Sequence, residues 1–170
     1  GECGGTWFPP FFMNISFEPS FFDKIFDDQP VGAARRRLSL EQLKDSVARD
    51  LESLLNTRVV FDPAMAESFP LTARSVAGFG LADFAGHSLA NVHHRRSICS
   101  SIEAAIAAHE PRLREVLVEL ELQRKTINAL YFSINAVLVV RPAQEPVSFD
   151  ALLRPTSLQY SVSRQRRPAA

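Results

Sequence analysis

The sequence predicts an α+β domain, in which N-terminal helices pack on one face of a C-terminal antiparallel sheet of three to four strands. Apolar residues recur at helical spacing over about 40–56 and 93–109, and they alternate at strand spacing from Leu113 onward. The period changes at Glu110-Pro111-Arg112, because Pro111 disfavours a helical conformation at Glu110 and has no N–H to donate. Helices first and strands later are typical of this class.

The length of 170 residues fits one domain with tails. We expect an N-terminal extension over 1–37 that contains a short aromatic helix and a linker. A folded domain should then cover 38–163, followed by a basic tail over 164–170. Residues 1–12 show no periodicity and are left out of the fold prediction, since Met13 is a plausible natural start.

The short aromatic helix is predicted over 20–28, with Ser20 as its N-cap. Its polar residues are mostly acidic, which argues against docking on a membrane. One face of this helix is apolar and fits either the core of its own domain or a groove on a partner. That face consists of Phe21, Phe22, Ile25 and Phe26.

The first long helix is predicted from about Leu40 to Asn56. Ser39 and Gln42 have the spacing of a capping box, in which each side chain bonds the backbone N–H of the other residue. The expected apolar stripe consists of Leu40, Leu43, Val47, Leu51, Leu54 and Leu55, with Lys44, Asp45, Arg49 and Glu52 on the polar side.

The segment 75–91 is almost uncharged and contains three glycines, which do not fit a phosphate-binding fingerprint. Close-packed turns around a short helical piece are the favoured interpretation, and a further helix follows over about 93–109. The strand pattern then covers 114–122 and 130–140. Two further strands, 147–153 and 158–163, flank the turn Arg154-Pro155-Thr156-Ser157 and indicate a hairpin.

Glu110 and Arg112 lie two residues apart on predicted extended backbone, so their side chains should leave on the same side. Arg112 suits the negative end of the preceding helix, whereas Glu110 is disfavoured there by about 0.3–1 kcal/mol. The carboxylate therefore needs a partner, which is either Arg112 or another chain. From the residues alone, a local ion pair is the favoured interpretation.

The overall charge excludes some classes of partner. The chain has 19 basic and 19 acidic residues, so no global field recruits nucleic acid or an anionic membrane. The clusters Arg35-Arg36-Arg37 and 164–167 are interpreted as solvated charge, with a docking patch for an acidic partner as the alternative.

No apolar run approaches the roughly 20 residues of a membrane span. Cys3 and Cys99 form no disulfide framework, and the chain lacks a secretory signal, so we expect a cytoplasmic protein.

Catalytic chemistry has weak support. A glycosidase would need two carboxylates, with Glu110 as the acid and Asp83 or Asp62 as the second group, yet Arg112 should keep Glu110 ionised. The histidines are scattered, and no pair has the i,i+4 spacing of a helical zinc site. We therefore expect no catalytic residues, no metal site and no cofactor.

Three segments together resemble one family. They are 49–58, the glycine-containing 75–83, and 102–113, which is centred on Glu110-Pro111-Arg112. The sequence is identified by them as similar to the phage baseplate wedge proteins once called gene-25-like lysozymes, and especially to members from type VI secretion systems. The similarity covers about 18–163, so the 38–163 domain would be a gene-25-like baseplate domain.

The resemblance implies a structural role despite the lysozyme label. Such proteins join baseplate wedge subunits to the contractile sheath and seed sheath assembly, and the resemblance makes Glu110, Pro111 and Arg112 partner-binding residues. It implies as partners wedge subunits of the TssF, TssG and TssK type, sheath subunits of the TssB and TssC type, and the spike or hub. Nucleic-acid binding and membrane insertion are not expected. The alternative is a peptidoglycan hydrolase with Glu110 as general acid.

Overall fold

The computed structural model of the protein describes Phe17 and residues 38–59, 68–73, 75–84, 91–121, 129–140, 143–154 and 156–165. The chain divides into two compact units, Gly1–Leu43 and Lys44–Ala170. Helices precede a four-stranded antiparallel sheet, so the predicted α+β class is confirmed. The elements in order are α1 (Leu40–Asn56), α2 (Pro70–Ala73), a 3-10 helix (Val76–Gly78), α3 (Val92–His109), β1 (Leu113–Glu121), β2 (Leu130–Val140), β3 (Ala143–Arg154) and β4 (Gln159–Arg164).

Helix α1 begins and ends where the sequence predicts. Its capping box is formed, since Ser39 N donates to Gln42 Oε1 at 2.9 Å and Gln42 N donates to Ser39 Oγ at 3.2 Å. The helix buries one face, as its apolar spacing predicts, while Leu40 is half-buried. The buried residues of this face are Leu43, Ser46, Val47, Ala48, Leu51, Leu54 and Leu55.

Helix α3 is confirmed and begins one residue before the predicted start. Asn91 is its N-cap, and Asn91 Oδ1 accepts a hydrogen bond from His93 N at 2.8 Å. Ile98, Ile102 and Ile106 are buried at intervals of four residues. Their common face packs along β1, so α3 covers the inner face at that side of the sheet.

The four strands pair in sequence order, β1-β2-β3-β4, which makes β2 a central strand as its apolar run predicts. Alternate residues of β2 and β3 are buried and line the inner face of the sheet. The ring of Tyr160 on β4 lies 6.2 Å from that of Phe132 on β2. The buried residues of the two inner strands are Phe132, Ile134, Ala136, Leu138, Val147, Phe149 and Ala151.

Strand β1 contains a bulge that the simple alternation did not predict. The register with β2 shifts between Arg114 and Leu117, and Glu115 has φ 52°. Leu113 and Val118 are five positions apart and would face opposite sides of a regular strand. Because the bulge adds one residue, both are buried on the inner face, while Leu117 is 52% exposed.

The predicted hairpin is confirmed as β3 and β4, although β3 begins before the predicted residue 147. Leu158 closes the turn with φ 53°, and its N–H donates to Arg154 O at 2.8 Å.

Within the described ranges, no helix has both the length and the apolar character that a bilayer span requires.

Side chains of the long helices bind the outer edges of the sheet. On β4, Val162 N donates to Glu52 Oε2 at 2.8 Å, and Tyr160 N donates to Asn56 Oδ1 at 2.8 Å. On β1, Val118 N donates to Glu103 Oε1 at 2.8 Å. At these positions, the backbone groups that an added strand would use are already bound. The sequence did not predict this, because Glu52 was assigned to the polar side of a helix.

Candidate functional site: the Glu110-Pro111-Arg112 corner

The corner between α3 and β1 is fixed by backbone hydrogen bonds. Glu110 is the C-cap of α3, and its N–H donates to Ile106 O at 2.8 Å. Leu113 N donates to Glu110 O at 3.1 Å, and Val139 N donates to Arg112 O at 2.8 Å. The chain therefore passes from the helix directly into the pairing of β1 with β2.

The side chains of Glu110 and Arg112 form an internal ion pair. Glu110 Oε1 accepts hydrogen bonds from Arg112 Nε at 2.7 Å and from Arg112 N at 3.2 Å. Glu110 Oε2 accepts from Arg112 Nη2 at 2.5 Å. Such a bidentate pair fixes the plane of the guanidinium relative to the carboxylate. The local pair expected from the residues alone is thus present in the fold.

Asp50 on helix α1 is a third member of the cluster. Arg112 Nη2 also donates to Asp50 Oδ2, so one nitrogen binds two carboxylates. The side chains of Arg112, Asp50 and Glu110 are 24%, 14% and 7% exposed, respectively. The sequence held a weak signal for this contact, since Asp50 lies in the 49–58 segment but was given no role there.

The two carboxylates raise the pKa of Arg112. Burial alone would lower the pKa of this guanidinium, but the hydrogen bonds and charge of Glu110, and then of Asp50, outweigh burial and raise the pKa. Both carboxylates therefore favour the charged form of Arg112, which is the form that arginine keeps in proteins. Glu110 is buried, while Pro111 is exposed and a quarter of the Arg112 side chain reaches solvent.

The glycine-containing segment that the sequence singled out lies against the same corner. His109 Nε2 is 3.0 Å from Gly78 O, and the rings of Phe79 and His109 meet edge to face at 5.4 Å. Leu81 N donates to Thr57 O at 2.8 Å, and Val59 N donates to Leu81 O at 3.0 Å. The segment is therefore tied both to the end of α3 and to the residues that follow α1.

Glycine is required at position 80, where the segment 75–83 contacts the residues that follow α1. Its φ is 129°, and a Cβ added there would lie 2.6 Å from Thr57 O. The predicted short helical piece is the 3-10 helix, which begins where Ser75 Oγ accepts from Ala77 N at 3.2 Å. Leu81 is buried as the predicted close packing requires, but Val76 is 91% exposed.

The remaining candidate residues either fall outside the described residues or are exposed. Phe21, Phe22, Ile25 and Phe26 lie outside the described residues, as does Asp62. Asp83 is exposed. Among the described residues, no group of three His, Cys, Asp or Glu side chains is placed to hold a metal ion.

The arrangement of the cluster does not suit glycoside hydrolysis. The carboxylate that shares Arg112 with Glu110 is Asp50, and the guanidinium lies where a sugar would have to enter between them. A general acid must also reach its substrate, whereas Glu110 is buried and both of its side-chain oxygens are bound to the Arg112 guanidinium. The geometry instead fastens α1 to the start of β1.

Comparison with known protein families gives one match. The family model described as baseplate wedge protein gp25 matches residues 41–143. This range contains Asp50, the segment 75–83 and the Glu110-Pro111-Arg112 corner. No curated protein sequence matches the chain significantly.

Proposed function

Because the chain belongs to the baseplate wedge protein gp25 family and is thus a component of a phage-tail-like baseplate, we propose that it is a TssE-type subunit of a type VI secretion system. In this role it links wedge subunits to the contractile sheath, seeds sheath assembly and works in the cytoplasm. The observation that carries the proposal is the family match across 41–143, which includes the whole Asp50–Glu110–Arg112 cluster.

Membership of the family implies contact with other baseplate components. We infer that these are wedge subunits of the TssF, TssG and TssK type and sheath subunits of the TssB and TssC type. Their contact with the corner would use Pro111 and the solvent-facing side of Arg112, since Glu110 is buried. The role of Glu110 is then to orient Arg112 towards the partner.

The proposed role is non-catalytic. The support is the pairing of Glu110 with Arg112, which occupies both side-chain oxygens of the candidate acid with hydrogen bonds from one guanidinium. Purified protein should release no sugar fragments from peptidoglycan between about pH 4 and pH 8, the range in which a carboxylic acid pair works. Release that disappears in Glu110→Gln would establish the hydrolase alternative.

The interface proposal needs a variant that leaves the ion cluster intact. Arg112→Ala fails this requirement because it removes the partner of two carboxylates. Exchanging the charges, with Glu110→Arg and Arg112→Glu together, also fails, since the new glutamate would face Asp50. Pro111→Asp changes an exposed residue of the corner and keeps Glu110, Arg112 and Asp50.

We expect Pro111→Asp to reduce co-purification with wedge subunits and to block sheath polymerisation, because a charge placed in a partly dry interface is left without a partner. The matched control is Pro146→Asp, the same change at an exposed proline on β3. Circular dichroism should show both variants folded. Normal assembly in a folded Pro111→Asp variant would exclude the corner as the interface.

A further inference from the structure

The guanidinium of Arg112 has one nitrogen that the ion cluster does not use. A guanidinium carries five N–H groups, one on Nε and two on each Nη. Nε donates to Glu110 Oε1 at 2.7 Å, and Nη2 donates both to Glu110 Oε2 at 2.5 Å and to Asp50 Oδ2. These bonds use three of the five N–H groups, so the two that remain both belong to Nη1.

Nη1 reaches solvent. The Arg112 side chain makes no further hydrogen bond with any residue that the structure describes. In that part of the chain, every fully buried side-chain nitrogen or oxygen has a hydrogen-bond partner. An unbonded Nη1 is therefore not fully buried, which agrees with the 24% exposure of the Arg112 side chain. The cluster thus presents the donor groups of a single nitrogen to whatever lies against the corner.

Asp50 limits how that nitrogen can be used. Carboxylates and phosphates bind arginine most strongly through two parallel hydrogen bonds, which need two nitrogens on one edge of the guanidinium. Glu110 takes the edge formed by Nε and Nη2. On the other edge, formed by Nη1 and Nη2, the Nη2 hydrogen is bound to Asp50. Any further acceptor can therefore make only single hydrogen bonds, and all of them come from Nη1.

We propose that Asp50 is a specificity-determining residue of the corner, and that the partner group it selects is a carbonyl oxygen bound by Arg112 Nη1. A carbonyl oxygen needs only one donor nitrogen. A carboxylate or phosphate would lose its bidentate geometry and would add a third acidic group around one guanidinium, where like charges repel. Selection of a partner carbonyl rests on the proposed contact of the corner with wedge subunits, whereas exclusion of anions is a property of the isolated protein.

The exclusion of anions is tested on the full-length protein with inorganic phosphate as the probe. Asp50→Ala frees the edge of Nη1 and Nη2, while Glu110 still holds the other edge. The Arg112 Nε–Hε signal in nitrogen-15 NMR spectra, followed at constant ionic strength, should report at least about tenfold tighter phosphate binding than in the wild type, the effect of gaining one charge-assisted hydrogen bond.

The matched control is Asp45→Ala, which removes a mostly exposed acid from the same helix and should respond to phosphate as the wild type does. If Asp50→Ala does not fold, Asp50→Ser is measured in its place, because the serine hydroxyl ends one atom short of the aspartate oxygens. Equal phosphate affinity in the wild type and the folded Asp50 variant would overturn the proposal.

The use of Nη1 is tested with the wedge subunits that co-purify with the wild type. Arg112→Lys keeps a positive charge but lacks the planar fork, so its affinity for these subunits should fall at least about tenfold. Arg114→Lys, at an exposed arginine of the adjoining strand, is the control and should bind as the wild type. In an electron cryo-microscopy structure of the wild-type complex, a partner carbonyl oxygen should lie about 3 Å from Nη1.

The outcomes separate this specificity from the proposed function. If the wild type binds no wedge subunit, the proposed function fails and the carbonyl contact fails with it, while the phosphate titration still decides the role of Asp50. If the wild type binds and Pro111→Asp does not, the proposed function stands. A folded Arg112→Lys variant that then binds as the wild type, or a carboxylate beside Nη1 in the complex, would overturn the carbonyl contact alone.

Discussion

The guanidinium of Arg112 binds the carboxylate of Asp50, 62 residues earlier in the chain. The same guanidinium holds Glu110, so one side chain connects α1, the C-terminus of α3 and the start of β1. A largely buried cluster of this kind tolerates the loss of its central cation poorly, because two carboxylates then remain close together and poorly solvated. The ion cluster therefore stabilises the fold, whether or not the corner also binds a partner.

We expect Arg112→Ala to lower the free energy of unfolding by about 2–4 kcal/mol, somewhat below the loss for a fully buried pair, because the cluster is partly exposed. Urea denaturation at neutral pH measures the change. Arg114→Ala, at an exposed position on the adjoining strand, should stay within about 0.5 kcal/mol of the wild type. A loss of unfolding free energy for Arg112→Ala as small as that for Arg114→Ala would show that the cluster contributes little to stability.

Gly80→Ala should destabilise the protein by about 1–3 kcal/mol, the range for a residue held in a disfavoured backbone conformation. The φ of 129° is unsuitable for alanine, and the added Cβ would meet Thr57 O. Thermal unfolding is the measurement, and Ala82→Ser, at an exposed position two residues later, is the control. An unchanged melting temperature for Gly80→Ala would mean that the 80–81 backbone moves away from residues 57–59 at little cost.

Stability should fall at alkaline pH. Burial raises the pKa of the Cys99 thiol, and the charge of Glu103 raises it further, while a hydrogen bond from Leu120 N opposes both. Burial also raises the pKa of Tyr160. In the unfolded chain both groups lose their protons at lower pH than in the folded protein, so the unfolded state binds fewer protons and becomes favoured as pH rises.

The expected decline begins near the ordinary thiol pKa of about 8.5 and continues past the ordinary tyrosine value of about 10. Urea denaturation at a series of pH values measures it. Cys99→Ala combined with Tyr160→Phe should flatten the dependence, whereas Cys3→Ser, in the predicted extension, should leave it unchanged. A double variant that loses stability as steeply as the wild type would show that other groups cause the decline.

Local sequence patterns predicted the parts of the fold that depend on neighbouring residues. The capping box of Ser39 and Gln42, both long helices and the hairpin before Leu158 each depend on spacings of a few residues. The bulge at Glu115 was missed because the alternation from Val116 onward is compatible with a regular strand.

The candidate site was predicted only in part, because one of its contacts joins near neighbours in the sequence and the other does not. The pairing of Glu110 with Arg112 follows from a spacing of two residues, whereas the contact of Arg112 with Asp50 depends on how α1 packs. The hydrogen bond from Val162 N on β4 to Glu52 Oε2 likewise joins positions more than 100 residues apart. Spacing along the chain carries no information on such pairs.

The aromatic cluster of the predicted N-terminal helix lies outside the described residues and remains a prediction. Its four side chains would offer more apolar surface than a short segment keeps in water, so we expect them to dock on a wedge partner, with their own domain as the alternative. The test replaces all four with serine, at Phe21, Phe22, Ile25 and Phe26. Deletion of 1–28 is a poorer test, because Phe17 within that range pairs with Leu38 through two backbone hydrogen bonds of 2.9 and 2.7 Å.

The serine variant should keep the melting temperature of the wild type and lose co-purification with wedge subunits, because the substitutions remove the apolar contact and keep the Phe17 pairing. Serine at Phe11 and Phe12, outside the predicted helix, is the control and should leave co-purification unchanged. A fall in melting temperature of several degrees, the effect of about 1 kcal/mol or more in a chain of this size, would instead place the four side chains in the core of their own domain.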